Sequence, residues 1–428
     1  MGKHRTRCNQ LGPAISLLIA TGLLLVSGCK KAKVADAVPE TAPSAEQLAS
    51  SRLAQFATNL KTLPIGQRDS AVQRFIKDNP VTPLIESDRL AAFFWYGNAK
   101  AVSINDDLQH GWATPEALES IPCGEDSFCF RIYQAPSDAR LDYVLSIDGK
   151  ETTDPRNPRV SPSAFGAHSE FVMPRFMPNL ARQFRKGIER GMLDSLLLNS
   201  KNPLLKPRTV KIYKPAGYDS LAKLPALYVF DGLEALNYMS YTNVLDNLIA
   251  DKKIKPVLVV FIEMLNEDIQ LFPDKFPLLA EHVCGELVPL IDSTYKTAAM
   301  PSDRAITGIS VWGNLAFITA FTRPEAFSMA AGQSTTVTEQ LIKTLGSATE
   351  SPQAPSPFKI YVDVGNYDLG GGALDNHSFL KANGLFVKEI ECRHINHSYH
   401  VYNDGHQWAN WRERTEAILC YFSSPAKE

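Results

Sequence analysis

Ser310 has the surroundings of a nucleophile. It lies in the sequence Gly-Ile-Ser-Val-Trp-Gly at residues 308–313. Residues 305–307 before this turn predict the end of a buried strand, and residues 315–321 after it predict a helix. A strained strand-to-helix turn lifts a serine hydroxyl above a sheet, and the following amide, here that of Val311, points at a developing oxyanion. We therefore predict that Ser310 is the nucleophile and that Val311 is an oxyanion donor.

Asp368 and His406 are the predicted partners of this serine. Asp368 follows a predicted buried strand in the sequence Gly-Asn-Tyr-Asp, and His406 lies in Asn-Asp-Gly-His before a predicted C-terminal helix. The order serine, acid, histidine is the chain order of the α/β-hydrolase triad. His406 would accept the proton of the serine, and Asp368 would fix the tautomer of the imidazole. Asp363 and Asp375 are weaker candidates for the acid.

A second oxyanion donor is expected in the loop after an earlier strand. The sequence Asp-Gly-Leu at residues 231–233 lies there, and glycine allows the backbone to approach a ligand closely. We predict that the amides of Gly232 and Leu233 supply this donor. The alternative is an ordinary turn that ends a strand.

Trp312 departs from the usual nucleophile turn, in which a small residue stands two positions after the serine. A glycine follows one position later, at Gly313. We expect the indole to swing into the substrate pocket while Gly313 makes the close contact, so that Trp312 narrows the site. The alternative is a hydrolase fold that has lost turnover and acts as a binding protein.

Composition argues against several other functions. The formal net charge is −2 and no run of Lys and Arg occurs, so no nucleic-acid partner is predicted. The C-terminal region holds four histidines, but no carboxylate or thiol signature accompanies them, and no Cys-x-x-Cys occurs; they are His394, His397, His400 and His406. We predict no metal and no cofactor.

The first residues read as an export signal. A basic segment with Lys3 and Arg5 precedes the apolar residues 13–26, and Val-Ser-Gly-Cys ends at Cys29. This resembles a bacterial lipobox, which implies a signal peptide over 1–28 and a lipid on the Cys29 thiol. The basic residues that follow Cys29, by resemblance to Gram-negative lipoproteins, imply an outer-membrane anchor facing the periplasm. The alternative is an ordinary signal peptide or a short anchor helix.

Export makes disulfides possible among the five cysteines after Cys29. Cys123 and Cys129 bracket a short turn and are the predicted pair. The pairing of Cys284, Cys392 and Cys420 is left open, and the odd number leaves at least one thiol unpaired.

The length of 428 residues suggests two or three domains. Residues 29–44 read as a tether, and residues 45–80 have helical periodicity. Alternating strands over 81–160 predict a small β-sandwich. Residues 161–207 form a poorly patterned connector. From 208 to 428, strands alternate with helices, which predicts an α/β domain with a mainly parallel sheet.

The chain from about Leu84 onward resembles the enterochelin-esterase-like (esterase D type) family of α/β-hydrolases. The resemblance is carried by short phrases in order along the chain: residues 143–149, 154–158, 208–213, 214–218, 231–232, 286–291, Ser310, 405–406 and 411–412. It implies an immunoglobulin-like domain before the hydrolase domain, and it implies that Ser310, Asp368 and His406 match the family's triad positions.

The resemblance also implies the activity. The expected function is a lipid-anchored serine hydrolase that cleaves a carboxylic ester of siderophore, acylated-sugar or another small type. The loop at residues 264–268 has no basic group, which weakens the case for an anionic catecholate siderophore. An acyltransferase that uses the same triad and a binding lipoprotein that has lost turnover remain the alternatives.

Overall fold

The computed structural model describes residues 41–109, 112, 114–350 and 358–425. The predicted signal peptide, Cys29 and most of the tether lie outside these ranges. Within them, no helix combines the length and the apolar character needed to cross a membrane.

Three helices begin the described chain: α1 Ala45–Ser50, α2 Arg52–Thr62 and α3 Ile65–Asp78. The Ser44 hydroxyl accepts a hydrogen bond from the Gln47 amide, and the Ser51 hydroxyl accepts one from the Ala54 amide, so each of the first two helices has a capped start. The apolar faces of α2 and α3 pack on the first β-sheet. Phe56 and Phe75 stack at 4.0 Å between ring centroids there. These helices therefore cover one face of a sheet.

Two antiparallel sheets follow. The first has the order β1-β2-β6-β5, and the second has the order β4-β3-β7-β10-β9 with β8 beside β7. The strands are β1 Leu84–Ser87, β2 Leu90–Gly97, β3 Val102–Asp106, β4 Glu116–Ala117, β5 Glu119–Cys123, β6 Asp126–Gln134, β7 Arg140–Ile147, β8 Lys150–Thr152, β9 Val160–Ser163 and β10 Gly166–Val172. Both sheets contribute to one buried cluster, in which the Phe93 ring meets Tyr143 at 5.0 Å and Phe171 at 5.2 Å, edge to face. The two sheets are therefore packed as a sandwich.

The predicted connector over residues 161–207 is wrong in part, because it contains three strands. Strands β9 and β10 belong to the second sheet of the sandwich, and β11 Met192–Leu198 belongs to the large sheet. Their sequences lack the apolar alternation on which the prediction relied. In β10 the buried positions include His168 and Ser169. In β11, an edge strand, Met192 and Leu197 are both 62% exposed.

The predicted disulfide between Cys123 and Cys129 is also wrong, because both thiols are free and buried. In the β5–β6 hairpin, Cys123 pairs with Asp126 and Cys129 pairs with Ser120. Successive side chains of a strand point to opposite faces. Cys129 faces the core between the sheets, whereas Cys123 faces the helices. A bridge would need both side chains on one face.

The large sheet has eight strands in the order β11-β12-β14-β13-β15-β16-β17-β18. Strand β12 pairs antiparallel with both of its neighbours, and the strands from β14 to β18 run parallel. The remaining strands are β12 Arg208–Lys214, β13 Ala226–Phe230, β14 Leu258–Ile262, β15 Arg304–Ile309, β16 Met329–Gln333, β17 Lys359–Tyr367 and β18 Asn396–Gly405. The predicted α/β class with a mainly parallel sheet is confirmed.

Helices cover both faces of this sheet, and each face has its own buried apolar cluster. The helices are α4 Gly232–Tyr238, α5 Tyr241–Ala250, α6 Phe276–His282, α7 Val288–Thr294, α8 Ser310–Thr322, α9 Glu339–Glu350, α10 Phe379–Cys392 and α11 Trp408–Ser423. A π-helical turn at Val283–Leu287 joins α6 to α7. Helix α8 is buried almost all round and follows β15 without a loop, so the chain turns sharply at Ser310.

Candidate active site

Ser310 lies at the junction of β15 and α8 with a φ of 50°, a conformation that is uncommon for a residue with a side chain. Gly308 makes this junction possible. A Cβ atom at Gly308 would lie 2.3 Å from the Trp312 carbonyl oxygen, so only glycine fits. A Cβ at Gly313 would lie 2.8 Å from the Thr335 hydroxyl. The tight turn therefore rests on both glycines.

Ser310, His406 and Asp368 meet at the carboxyl end of the parallel sheet. His406 Nε2 lies 3.0 Å from Ser310 Oγ, and His406 Nδ1 lies 2.6 Å from Asp368 Oδ1. The three residues come from the ends of three different strands, and the histidine stands between the other two. Asp363, a weaker candidate for the acid, instead forms a buried ion pair with Arg414 at 2.7 Å. The second weaker candidate, Asp375, lies in a short turn over Leu374–Asn376.

The Asp368 carboxyl group is fully buried beside the imidazole. Burial by itself raises its pKa, but the facing His406, together with hydrogen bonds from His406, Ser334 and the Leu369 amide, outweighs burial and holds the pKa below the usual value. An ionised Asp368 accepts a hydrogen bond from His406 Nδ1–H. His406 Nε2 is then the acceptor that faces the serine hydroxyl.

Two aromatic rings that the sequence motifs do not predict as neighbours contact the His406 ring. Phe379 approaches it edge-on at 5.0 Å and Trp411 at 4.8 Å. The Trp411 indole N–H in turn donates to the Ser334 hydroxyl at 3.0 Å. Of these contact residues, only Trp411 lies in a sequence phrase that carries the family resemblance. That phrase, residues 411–412, follows the Gly-His pair at residues 405–406.

A cavity of about 390 Å³ opens onto Ser310 and His406. The sandwich contributes Ala164 and Phe165 from the tip of the β9–β10 hairpin. The other lining residues come from the part of the chain that forms the eight-stranded sheet and its helices, here called the sheet domain: Asp231, Glu234, Met264, Leu265, Asn266, Ile269, Ile309, Ser310, Val311, Trp312, His406, Trp408 and Trp411. This lining contains three tryptophans and two acids, and it contains no Lys or Arg. A larger groove of about 540 Å³ beside α2 contains none of the three triad candidates.

The predicted oxyanion residues lie on two helix starts. Val311 is the second residue of α8 and lines the cavity. Gly232 and Leu233 begin α4, where first-turn amides make no intrahelical hydrogen bond, but they are not among the lining residues. Their neighbours Asp231 and Glu234 line the cavity instead. Gly232 packs on the next strand, since a Cβ there would lie 2.4 Å from the Ile262 nitrogen.

Asp231 and Glu234 form an acidic pair in the cavity wall. Burial, followed by the charge and hydrogen bonding of Glu234, raises the pKa of Asp231 to about 8, against a lowering by a hydrogen bond from Trp312. At neutral pH the Asp231 carboxyl group therefore retains its proton. The sequence phrase Asp-Gly at residues 231–232 does not by itself predict this pair.

The Trp312 side chain is 9% exposed and lines the cavity, close to the acidic pair. Its ring stacks on Phe276 with centroids 5.9 Å apart and planes at 23°. The indole is therefore part of the domain core on one side and of the cavity wall on the other. This leaves the Ser310 hydroxyl open to the cavity.

The histidines of β18 have local partners. His397 Nδ1 lies 2.9 Å from the Ile395 carbonyl oxygen, and His400 Nε2 lies 2.7 Å from the Ser398 hydroxyl. In the part of the chain that the structure describes, no three His, Cys, Asp or Glu side chains are grouped as a metal ion would require.

Curated proteins similar to this chain include the following two. An endo-1,4-beta-xylanase/feruloyl esterase of Xylanibacter ruminicola is 31% identical over 208 residues, which cover 43% of this chain and 27% of that protein. This chain therefore matches about a quarter of the length of that relative. An uncharacterized Bacillus subtilis protein, YjcH, is 19% identical over 211 residues, which cover 48% of this chain and 86% of that protein.

Solved structures share the fold over a larger part of the chain. The ferric enterobactin esterase of Salmonella typhimurium superposes with a TM-score of 0.64 at 14% identity and covers 79% of this chain and 95% of that one. The enterobactin esterase of Shigella flexneri, crystallised with enterobactin, has a TM-score of 0.62 at 18% identity, with 78% and 93% covered. At these identities the likeness shows the fold, and it confirms the predicted α/β-hydrolase domain.

The Esterase family, described as "Putative esterase", matches residues 202–422, which is about half of the chain and spans all three triad candidates. The predicted family resemblance is confirmed: this chain belongs to the Esterase family of α/β-hydrolases.

Proposed function

We propose that this chain is a serine hydrolase that cleaves carboxylic esters through an acyl-enzyme. The observation that carries the proposal is the position of His406, within hydrogen-bonding distance of both Ser310 and Asp368. A nucleophile, a base that can take its proton, and an acid that orients the base are the three parts that acyl transfer requires.

In the first half of the reaction, Ser310 Oγ attacks the ester carbonyl carbon while its proton passes to His406 Nε2. The negative charge that forms on the carbonyl oxygen is stabilised by the Val311 amide, with Gly232 or Leu233 as the second donor. His406 then gives its proton to the departing alkoxide, which leaves as an alcohol. In the second half, water loses a proton to His406 and attacks the acyl-Ser310 carbonyl carbon. His406 then returns this proton to Ser310 Oγ as the bond between the acyl carbon and Oγ breaks, which releases the carboxylic acid and restores the serine.

The cavity lining favours an ester without negative charge. A negatively charged acyl or alcohol group would face Asp231 and Glu234 with no Lys or Arg in the lining to offset them. The tryptophans and the exposed Phe165 offer apolar faces on which an aromatic ring or a sugar can stack. Of the substrate types named for the similar proteins, a feruloyl ester fits these walls better than an anionic ferric catecholate.

Stacking of Trp312 on Phe276 supports a working hydrolase over a binding protein. An indole held against α6 does not occupy the space above Ser310.

The proposal also includes export and a lipid on Cys29, motivated by the basic segment and Val-Ser-Gly-Cys at the N-terminus.

Removal of any member of the triad should abolish turnover without loss of the fold. We expect Ser310→Ala, His406→Ala and Asp368→Asn each to lower kcat for p-nitrophenyl acetate by about three orders of magnitude or more, with thermal unfolding little changed. Labelling of the wild type by a fluorophosphonate probe, and its loss in Ser310→Ala, is the direct measurement. Asp375→Asn is the control for the acid, and undiminished turnover in Ser310→Ala would refute the mechanism.

The acidic pair should impose an alkaline limit on activity. Because the pKa of Asp231 is about 8, its carboxyl group gains a negative charge above that pH, in the wall of the cavity onto which Ser310 opens. We expect kcat/KM for a neutral ester to fall as pH rises above about 8. Glu234→Gln should remove this fall and raise turnover of an anionic hemisuccinate ester several-fold.

Glu267→Gln is the matched control for Glu234→Gln. Glu267 follows the cavity residue Asn266 in sequence, pairs with Lys206 and does not itself line the cavity. If both variants keep the wild-type pH profile and the same ratio of neutral to anionic ester turnover, the acidic pair has no role in selecting the substrate.

Trp312 should limit the size of the acyl group. We expect Trp312→Gly to raise kcat/KM for feruloyl relative to acetyl esters by about tenfold, a typical gain when a pocket wall is removed. Loss of the stack on Phe276 should also destabilise the protein by about 3–5 kcal/mol. Trp312→Phe keeps a ring in the stack and serves as the control. Equal acyl preference in Trp312→Gly and wild type would contradict the size limit.

Lipidation should depend on Cys29. In a bacterial host, Cys29→Ser is expected to abolish incorporation of labelled palmitate and to release the protein from the membrane pellet, because the thiol is the acylated group. Ser27→Ala changes a neighbouring small residue and keeps the cysteine. Unchanged palmitate labelling and pelleting of Cys29→Ser would show that the N-terminus anchors the protein in another way or not at all.

A further inference from the structure

Gly405, at the end of β18, and the following His406 form the histidine loop of the sheet domain. This loop contacts a buried carboxyl group of the sandwich. Asp107 follows β3 and is fully buried. A Cβ atom at Gly405, the residue before His406, would lie 2.3 Å from Asp107 Cγ. Because Gly405 is not among the residues with positive φ, its backbone does not require glycine. Glycine is required at this position because Asp107 leaves no room for a side chain.

Asp107 is held rigidly from its own side. Its Oδ1 accepts a hydrogen bond from the Trp112 indole N–H at 2.7 Å, and its Oδ2 accepts one from the Asp142 amide at 2.8 Å. Both oxygens therefore have donors within the sandwich. Asp107 thus presents a fixed surface to the backbone of Gly405.

Asn410 provides a second attachment of the same loop. Its Nδ2 donates to the Gly405 carbonyl oxygen at 2.9 Å, and its Oδ1 accepts from Arg140 Nη1 at 2.6 Å. Arg140 is a buried residue of the sandwich and pairs with Asp142 at 2.7 Å. The carbonyl group one residue before His406 is therefore connected through Asn410 to the charged interior of the sandwich.

The acid of the triad has an equivalent attachment. Tyr367, the residue before Asp368, is 1% exposed and belongs to the buried cluster between the two sandwich sheets. On the neighbouring strand end, Asn403 Nδ2 donates to Asp138 Oδ1 of the sandwich at 2.7 Å. The ends of β17 and β18, which carry Asp368 and His406, are both fastened to the same neighbouring unit.

We propose that the sandwich is part of the catalytic apparatus, with Asp107 and Asn410 as positioning residues that hold His406 between Ser310 and Asp368. The inference rests on the proposed hydrolase function. Proton transfer demands His406 distances near 3 Å on both sides, and a displacement of about 1 Å can cost about a hundredfold in rate. The exposed edge strand β18 gives the loop little support of its own, so the sandwich supplies it.

Substitutions of Asp107 and Gly405, made singly and together, test the contact between these two residues. Gly405→Ala should force the loop away from Asp107 and lower kcat at least about tenfold while KM changes less than about twofold, since the chemistry and not the cavity is disturbed. Asp107→Gly alone should also lower kcat. The double variant Asp107→Gly/Gly405→Ala makes room for the new methyl group, and its kcat should exceed that of Gly405→Ala several-fold.

Asp154→Asn is the matched control. Asp154 is a buried sandwich aspartate that accepts a hydrogen bond from the Tyr143 hydroxyl at 2.8 Å and does not touch the histidine loop. It should lower the unfolding temperature as Asp107 variants do but leave kcat unchanged below that temperature. Asn410→Ala is a second variant, made on the sheet-domain side, that should lower kcat if Asp107→Gly does not fold.

A spectroscopic signal separates positioning from activity. The proton on His406 Nδ1 facing Asp368 should give a low-field NMR signal that is absent in His406→Ala, and it should shift or broaden in Gly405→Ala and Asn410→Ala but not in Asp154→Asn. Wild-type kcat and an unmoved signal in the folded Gly405→Ala variant, or equal impairment of the single and double variants, would overturn the inference. A wild type inert to esters and to the probe would instead refute the proposed function, and the NMR comparison would still decide the positioning.

Discussion

The contact of 2.6 Å between His406 Nδ1 and Asp368 Oδ1 is the interaction on which the candidate site depends. It joins the ends of two adjacent parallel strands and leaves the other ring nitrogen facing Ser310. Burial of Asp368 would by itself favour a neutral carboxyl group, so the charged form exists because the histidine and nearby donors stabilise it. The aromatic edges of Phe379 and Trp411 then restrict the ring to one orientation.

The sandwich has two different relations to that site. At one point the β9–β10 hairpin brings Phe165 to the cavity wall, where it can contact a substrate. At another, Asp107 meets the backbone of Gly405, and Arg140 of the sandwich reaches the Gly405 carbonyl group through Asn410 of α11. Here the histidine strand lies at the edge of the sheet, and a neighbouring β-domain covers its end.

The wall of the cavity contains two acids and no Lys or Arg. Asp231 and Glu234 share a buried wall, and the raised pKa of Asp231 means that one proton is retained at neutral pH. A carboxyl group that retains its proton can both donate and accept hydrogen bonds.

The order of residues along the chain predicts Ser310, Asp368 and His406 as the triad candidates. Each follows a strand of a parallel sheet, and parallel strands end at the same edge of the sheet. The sequence also predicted the α/β class from strand–helix alternation and identified Trp312 as a departure. It failed where strands carry no apolar alternation, as in β10 with its buried His168 and Ser169. It also failed for Cys123 and Cys129, because closeness in sequence does not say which face of a hairpin each thiol occupies.

Residue types and their spacing therefore determined the class of fold, the nucleophile turn and the identity of the three triad candidates. Such features are local, or they follow from chain order in a parallel sheet. The cavity position of the acidic pair, the contacts of Phe379 and Trp411 with His406, and the contact of Asp107 with Gly405 were decided by tertiary structure. Asp231 and Glu234 are close in sequence, but only the folded sheet domain places both in the cavity wall with Trp312. Asp107 and Gly405 are separated by nearly three hundred positions along the chain. Only packing of the sandwich against the sheet domain brings these two residues together, so no pattern within one segment could reveal their contact.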